Sequence, residues 1–577
     1  MTLPGRVFQT SSPKRTTLDV GDGAVLLLLA SLIYLGARLA ASAPAVIRGP
    51  AISLDPGALP LYAALSLGRM LLAYCLSLAF SIAYAYIAAR SPAAERWMMP
   101  LLDVLQSVPI LSFLPVVLLS LIAVLPQRLA VELASVVLIF TSQVWNMTFS
   151  LYQALRTLPK EMREAAAVFR FSPWLRFKRV ELPFSALGLI WNSVMSWAGG
   201  WFFLMAAEIF TLGERDFRLP GIGAYLQTAA NQGNEEALLL GVGTLVLLIV
   251  LLDQLLWRPL LAWAERFKVS QVEDDRPAHS WFLDLLQRST LLSRLGERWL
   301  APLSARVDRT LNKPPEEIAS LEPVSISGET PVWQRALGLV VLLGLVLGGA
   351  GAAQLLLTMP GGAWVGIAAG AGATLLRVTT AVALALAWTI PVGVLIGTND
   401  RAAQVLQPVV QVLASIPATA LFPILLLGLL QTPGRENLAA VLLMLLGTQW
   451  YLLFNVIAGA AAIPRDLKDT TSLLQLGRWP RWRTLILPAL FPYIVTGLVT
   501  ASGGAWNASI VAEYIHFGGQ VHRLTGLGAL ITGATAEGDY ALLLASTLGM
   551  VVLVVAINRV VWRRLYALAE TQYRMDQ

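Results

Sequence analysis

The sequence predicts an all-α polytopic membrane protein of about twelve transmembrane helices, arranged as two six-helix halves related by a pseudo-two-fold axis. Three observations carry this. Of 577 residues, 56% are hydrophobic and 13% charged, with a mean hydropathy of +0.66, whereas soluble domains carry about a quarter charged residues. Apolar runs able to cross a hydrocarbon core of ~30 Å recur along the chain. The second half of the chain repeats the first at a nearly fixed offset.

The runs place spans near 24–43, 62–89, 100–125, 130–155, 184–208 and 237–257, then near 336–357, 370–397, 406–430, 437–460, 489–513 and 540–561. At the start, Lys14 and Arg15 precede an apolar run that small residues follow. That pattern fits a cleaved leader or a retained first helix. An equivalent run opens the second half and matches the retained helix.

Loop charge sets orientation. Residues 156–183 carry seven basic side chains against three acidic ones, and 461–488 carry five against two. Both loops are expected inside, and the acidic loop 209–236 outside. With six spans per half, both termini fall on the cytoplasmic side. The net charge of +7 therefore reports membrane orientation and not a nucleic-acid partner.

The expected organisation is a first half at 1–264, a polar cytoplasmic linker at 265–332 and a second half at 333–577. In the linker, Trp281, Phe282, Leu285, Leu286, Leu292 and Leu295 recur at helical spacing. They fit an amphipathic helix on the inner membrane face or a solvated linker helix. Cys75, the one cysteine, lies in an apolar run, and no disulfide within the chain can form.

The repeat is specific. Trp145, Pro159, Pro183, Trp201, Glu208, Gly221 and Gly223 recur 305 residues on as Trp450, Pro464, Pro488, Trp506, Glu513, Gly526 and Gly528. Earlier in each half the offset is 308: Arg69, Ser107, Pro109 and Pro115 recur as Arg377, Ser415, Pro417 and Pro423. Both halves thus share one topology, and transport sites commonly lie at such repeat interfaces.

The inside loop carries the most informative motif. Arg163-Glu164-Ala165-Ala166-Ala167-Val168-Phe169 runs on through Ser172-Pro173-Trp174 to Leu182-Pro183. It resembles the cytoplasmic Glu-Ala-Ala loop of binding-protein-dependent ABC importer permeases. The resemblance implies the type I importer fold, and a loop whose short helix docks into a groove on an ATPase subunit. The coupling residues it implies are Glu164, Ala165, Ala166, Phe169 and Arg170, and in the second half Asp469, Thr470, Thr471, Leu474 and Gln475. Small alanines admit close approach, and an early acid suits the helix dipole. The chain departs from the motif in two ways. Arg170 and Gln475 stand where the family has glycine, and Asp469-Thr470-Thr471 replaces Glu-Ala-Ala. β-Branched threonines lower helix propensity, so the second coupling helix is expected to be less regular and to couple less strongly.

Ser107-Val108-Pro109 with Pro115, Ser415-Ile416-Pro417 with Pro423, and Leu219-Pro220-Gly221-Ile222-Gly223 are similar to the nitrate, sulfonate, taurine and bicarbonate branch, including its duplicated, fused permeases. The resemblance implies an importer for a small anion delivered by an external binding protein. It also implies two ATP-binding-cassette subunits, with ATP and magnesium bound on them, one copy of this chain per complex and a bacterial inner membrane. The chain has no Gly-Lys dipeptide and so no phosphate loop, and its three histidines and one cysteine make no metal constellation. No catalytic residue, metal site or cofactor is expected in the chain itself.

Candidate pathway residues are Ser107, Pro109, Ser415 and Pro417 at the proline motifs. The polar fifth spans add Asn192, Ser196, Trp201, Glu208, Thr500, Trp506, Asn507 and Glu513. Glu208 and Glu513 are expected at helix ends or in a gate, because a carboxylate repels an anion. Arg69 and Arg377 are expected to snorkel to headgroups. The alternative function is a secondary transporter with internal repeats, which usually needs ionisable residues in mid-membrane.

Overall fold

The structure is a computed structural model, and it describes residues 20–40, 49–107, 109–212, 215–267, 280–288, 301–311, 332–428, 435–463, 465–517 and 520–572. The chain is an all-α polytopic membrane protein with two halves. Among the described residues, seven helices are long and apolar enough to cross a membrane, and three shorter apolar helices accompany them.

The first half holds α1 (Val20–Ala40), α2 (Leu59–Arg90), α3 (Pro92–Ser107), α4 (Leu114–Val124), α5 (Gln127–Thr157), α6 (Lys160–Val168), α7 (Pro173–Arg176), α8 (Leu182–Glu208), α9 (Ile222–Asn231), α10 (Glu235–Leu252) and α11 (Arg258–Ala264). The linker contributes α12 (Trp281–Arg288) and α13 (Ala301–Leu311). The second half holds α14 (Val332–Leu357), α15 (Gly361–Thr398), α16 (Asp400–Ser415), α17 (Ala418–Gly428), α18 (Arg435–Ala461), α19 (Arg465–Leu473), α20 (Arg478–Arg481), α21 (Leu487–Ala512), α22 (Leu527–Glu537), α23 (Tyr540–Ile557) and α24 (Arg563–Gln572). Antiparallel ribbons β1–β2 (Thr211–Leu212, Arg215–Asp216) and β3–β4 (Tyr514–Phe517, Gln520–Arg523) follow α8 and α21.

The repeat extends to local detail. Asn234 caps α10 by accepting from Ala237 N at 3.0 Å, and Asp539, 305 residues on, caps α23 from Leu542 N at 2.9 Å. Such caps satisfy orphan amides at a helix start. The backbone widens to π-helix at Phe177–Glu181, Asp253–Trp257, Trp482–Ile486 and Asn558–Trp562. Pro183, Pro259 and Pro488 each stand two residues past one of these turns. A helical proline donates no amide and crowds the preceding turn, which the wider turn relieves.

Two expected spans are corrected. The runs 100–125 and 406–430 are not single helices. Each is two helices, α3 with α4 and α16 with α17, parted at Pro109 and Pro417. Pro109 is extended, at φ −65 and ψ 111, and a 3-10 turn at Ile110–Phe113 leads into α4. Proline biases the residue before it away from the helical region, so the break falls there.

The broken helices tie the halves together. α2, α5 and α8 form the centre of the first half, and α15, α18 and α21 that of the second. α3 reaches across to α23, α4 to α22, and α17 to α8 and α9. α1 packs along α14, where Ser31 Oγ donates to Leu345 O at 2.9 Å. In the linker, α12 is helical at Trp281–Arg288, whereas Leu292 and Leu295 lie outside the described residues.

Candidate functional site

Three features stand out: two buried clusters on the side that the loop charges predict to be outer, a cavity between the halves, and two loops on the side predicted to be inner.

Each outer cluster forms where α8 or α21 ends. The Glu208 carboxylate is fully buried and takes three donors. Ser66 Oγ donates to Oε1 at 2.7 Å, Arg69 Nη1 donates to Oε1 at 2.9 Å, and Gly223 N donates to Oε2 at 2.8 Å. Ser66 Oγ in turn accepts from Ile222 N at 3.0 Å. Glu208 and Ser66 thus satisfy the first amides of α9, a favoured place for an anion. Arg69 also donates to Pro220 O at 2.8 Å and forms a two-bond fork with Glu132, at 2.7 Å each.

The second half repeats this. Glu513 accepts from Arg377 Nη1 at 2.8 Å, Thr374 Oγ1 at 2.8 Å and Gly528 N at 2.9 Å, and Leu527 N donates to Thr374 Oγ1 at 2.9 Å. Asn437 replaces Glu132, accepting from Arg377 Nε at 3.0 Å. A Cβ on Gly221 or Gly526 would collide with the respective carboxylate, so only glycine admits this approach.

The snorkelling expectation for Arg69 and Arg377 is therefore corrected. Their side chains are 5% and 11% exposed and point into the protein. A buried arginine needs a paired anion, and the end of α8 or α21 brings one. Ser66, Thr374, Glu132 and Asn437 were not singled out from the sequence. The signal was there for two of them, since Ser66 and Thr374 are hydroxyl residues at the 308 offset.

The cavity encloses about 620 Å³ between α8 of the first half and α16, α18 and α21 of the second. Its rings are Trp191, Phe202, Phe203, Trp450, Tyr451 and Phe454, and its amides are Gln407, Gln411, Asn455 and Asn507. Among the described residues no charged side chain lines it. Of the candidate pathway residues it takes Pro417 and Asn507. Asn507 also joins the halves, since its Oδ1 accepts from Leu111 N, two residues past the Pro109 break, at 3.3 Å. Pro109 is buried. Ser196, Trp201 and Trp506 are buried outside the lining, at 1% exposure each. Asn192 and Thr500 donate back along their own helices, to Gly188 O and Thr496 O. The side chains of Ser107 and Ser415 lie outside the described residues.

The inner loops form α6 and α19, each nine residues long. Glu164, Ala165, Phe169 and Arg170 are exposed and Ala166 is buried, as Asp469, Thr470, Leu474 and Gln475 are exposed and Thr471 is buried. Both helices close the same way. Phe171 N donates to Ala166 O at 2.9 Å, and Leu476 N to Thr471 O at 3.1 Å. Arg170 and Gln475 adopt left-handed φ of 49 and 48. They hold the conformation that glycine serves at a helix end, so the loss of glycine leaves the turn in place. The expected irregularity of the second helix is not found: α19 matches α6 in length and ending. Val168 and Leu473, exposed beside Phe169 and Leu474, complete an apolar pair on each loop that sequence reasoning missed.

The chain matches the binding-protein-dependent transport system inner membrane component family twice, over residues 78–256 and 389–570. It belongs to this family. Each match contains one of these loops and one of the glutamates Glu208 and Glu513. Among relatives, the nitrate import permease protein NrtB of Leptolyngbya laminosa is 32% identical over 167 residues, 29% of this chain and 56% of that one. The bicarbonate transport system permease protein CmpB of Synechococcus elongatus is 32% identical over 162 residues, 28% of this chain and 55% of that one. The aliphatic sulfonates transport permease protein SsuC of Bacillus subtilis, named there as putative, is 28% identical over 122 residues, 21% and 43% of the two chains. The chain thus spans little more than half the length of the nitrate and bicarbonate relatives.

Proposed function

We propose that this chain is the membrane-spanning subunit of an ATP-driven importer for a small anion of the nitrate, bicarbonate, sulfonate or taurine class. An external binding protein delivers the substrate. Two ATP-binding-cassette subunits, which carry the ATP and magnesium, sit under α6 and α19. The chain itself hydrolyses nothing. It lies in a bacterial inner membrane with both termini in the cytoplasm, and residues 1–264 and 333–577 act as the two permease halves on either side of the 265–332 linker.

The observation that carries this reading is the duplicated family match with one exposed, identically closed inner helix in each copy. Glu164, Ala165, Ala166, Phe169 and Arg170 form the first ATPase contact, and Asp469, Thr470, Thr471, Leu474 and Gln475 the second. Substrate passes between the halves, along Pro109, Pro417 and Asn507. Glu208 and Glu513 anchor the outer helices α9 and α22, which pack against the opposite half. They act at the outer closure and do not bind the anion. A secondary transporter would need ionisable groups along its path, and the cavity lining carries none among the described residues.

The test is ATPase activity of the complex in lipid, stimulated by loaded binding protein. Charge reversal at Glu164 or Asp469 to Lys is expected to abolish stimulation while the complex still assembles. Unchanged stimulation in both variants removes the loops from coupling.

A further inference from the structure

The linker helix α13 shows what one inner-face residue pair binds. The Trp174 indole N–H donates to Asp308 Oδ1 at 2.8 Å, and the Lys178 ammonium donates to Oδ1 and Oδ2 at 2.8 and 2.7 Å. Trp174 and Lys178 stand four residues apart on a helical segment, so both reach the same side. The Lys178 hydrogen bond first, and the indole second, hold the Asp308 carboxyl below the ordinary aspartate value. An indole donor and a cation thus form a carboxylate clamp.

The repeat places the same pair on the second half. Trp479 and Arg483 stand 305 residues after Trp174 and Lys178. Trp479 is 74% exposed, Arg483 is exposed, and neither side chain donates a hydrogen bond to another described residue. Lipid does not explain this exposure. From Glu513 at the outer cluster back to Trp479 the chain is continuously helical, which spans roughly 50 Å at 1.5 Å per residue. A bilayer with its headgroups is about 40–45 Å thick. With Glu513 at the outer face, that length carries the clamp past the headgroups on the inner side, where the proposed importer has its ATPase.

We propose that Trp479 and Arg483 form an open carboxylate clamp for an Asp or Glu side chain of the ATPase subunit seated under the second half. This rests on reading the chain as an importer permease. On the first half the linker's Asp308 already fills the equivalent clamp. The ATPase there is held without it, so the two ATPases meet one chain by unequal contacts.

The test uses the intact permease–ATPase complex purified from membranes. A photoreactive benzoylphenylalanine replaces Trp479, or Trp174 as a control, and adducts are mapped by mass spectrometry. Position 479 should capture an ATPase peptide containing Asp or Glu, and position 174 should capture residues 301–311. Arg483→Glu should weaken ATPase retention about tenfold, the worth of one charge-assisted hydrogen bond. Arg483→Lys should largely restore it, and Asp308→Ala should leave it unchanged. An adduct at 479 to phospholipid or to this chain alone overturns the clamp. So does the absence of any adduct while the ATPase co-purifies. If wild-type protein retains no ATPase, the importer reading and the clamp fall together; retention without the adduct removes the clamp alone.

Discussion

Glu208 and Glu513 show what a single residue decides in this protein. Each is fully buried, paired to an arginine and bonded to the start of an outer helix. Removing one partner of a buried ion pair leaves a charge uncompensated and costs about 3–5 kcal/mol. The two sites are not equal. Without Glu208, Arg69 keeps its fork to the charged Glu132, whereas without Glu513, Arg377 keeps only neutral acceptors among the described residues, Asn437 Oδ1 and Thr525 O. Glu513→Ala should therefore lower the thermal unfolding midpoint of the purified chain more than Glu208→Ala does; equal or reversed shifts would contradict the geometry. The sequence revealed both glutamates, both arginines and their pairing across the repeat. It did not reveal that each arginine meets the glutamate of its own half. That contact forms only when α2 packs against α8 and α15 against α21, and no short-range pattern records it. A second residue-scale prediction concerns Arg170 and Gln475. A left-handed backbone costs a residue with a Cβ about 1 kcal/mol. Arg170→Gly and Gln475→Gly should relieve this and slow hydrogen exchange at Phe171 and Leu476 by roughly fivefold. Faster exchange would mean that the side chains themselves hold the turn.

Among the elements, the inner loops and the linker carry the contrasts between the halves. The threonines of α19 were expected to loosen it, yet helix length and closing bonds match those of α6. Intrinsic propensity is a weak prior beside packing, and Thr471 is buried where Ala166 is buried. Among the described residues the asymmetry lies instead in α13, which grips the first loop segment. The Asp308 carboxyl sits below its ordinary value of 3.8, chiefly through Lys178. A depressed carboxyl stabilises the contact above its unfolded-state value, and that contribution is lost as pH falls through the folded value. A spin-label distance between α13 and α8 should therefore hold constant from about pH 8 to about pH 5 and change only in stronger acid. Release near neutrality would show that Asp308 is not the anchor. The broken third spans were half legible. Pro109 and Pro417 marked a kink, but proline alone does not distinguish a kinked helix from two helices. The bond from Leu111 N to Asn507 ties the first break to the opposite half.

At the scale of the molecule, class and duplication were legible because both rest on long-range regularities: low charge, repeated apolar runs and a fixed offset. The exchange of α3, α4 and α17 between halves was not, since hydropathy places a span but not its neighbours. That exchange bears on the central claim. Helices of each half pack against helices of the other, which supports the proposal that one polypeptide supplies both permease positions. Native mass spectrometry of the complex tests this most directly. The account predicts one copy of this chain with two ATPase subunits, and two copies of this chain in one complex would contradict it.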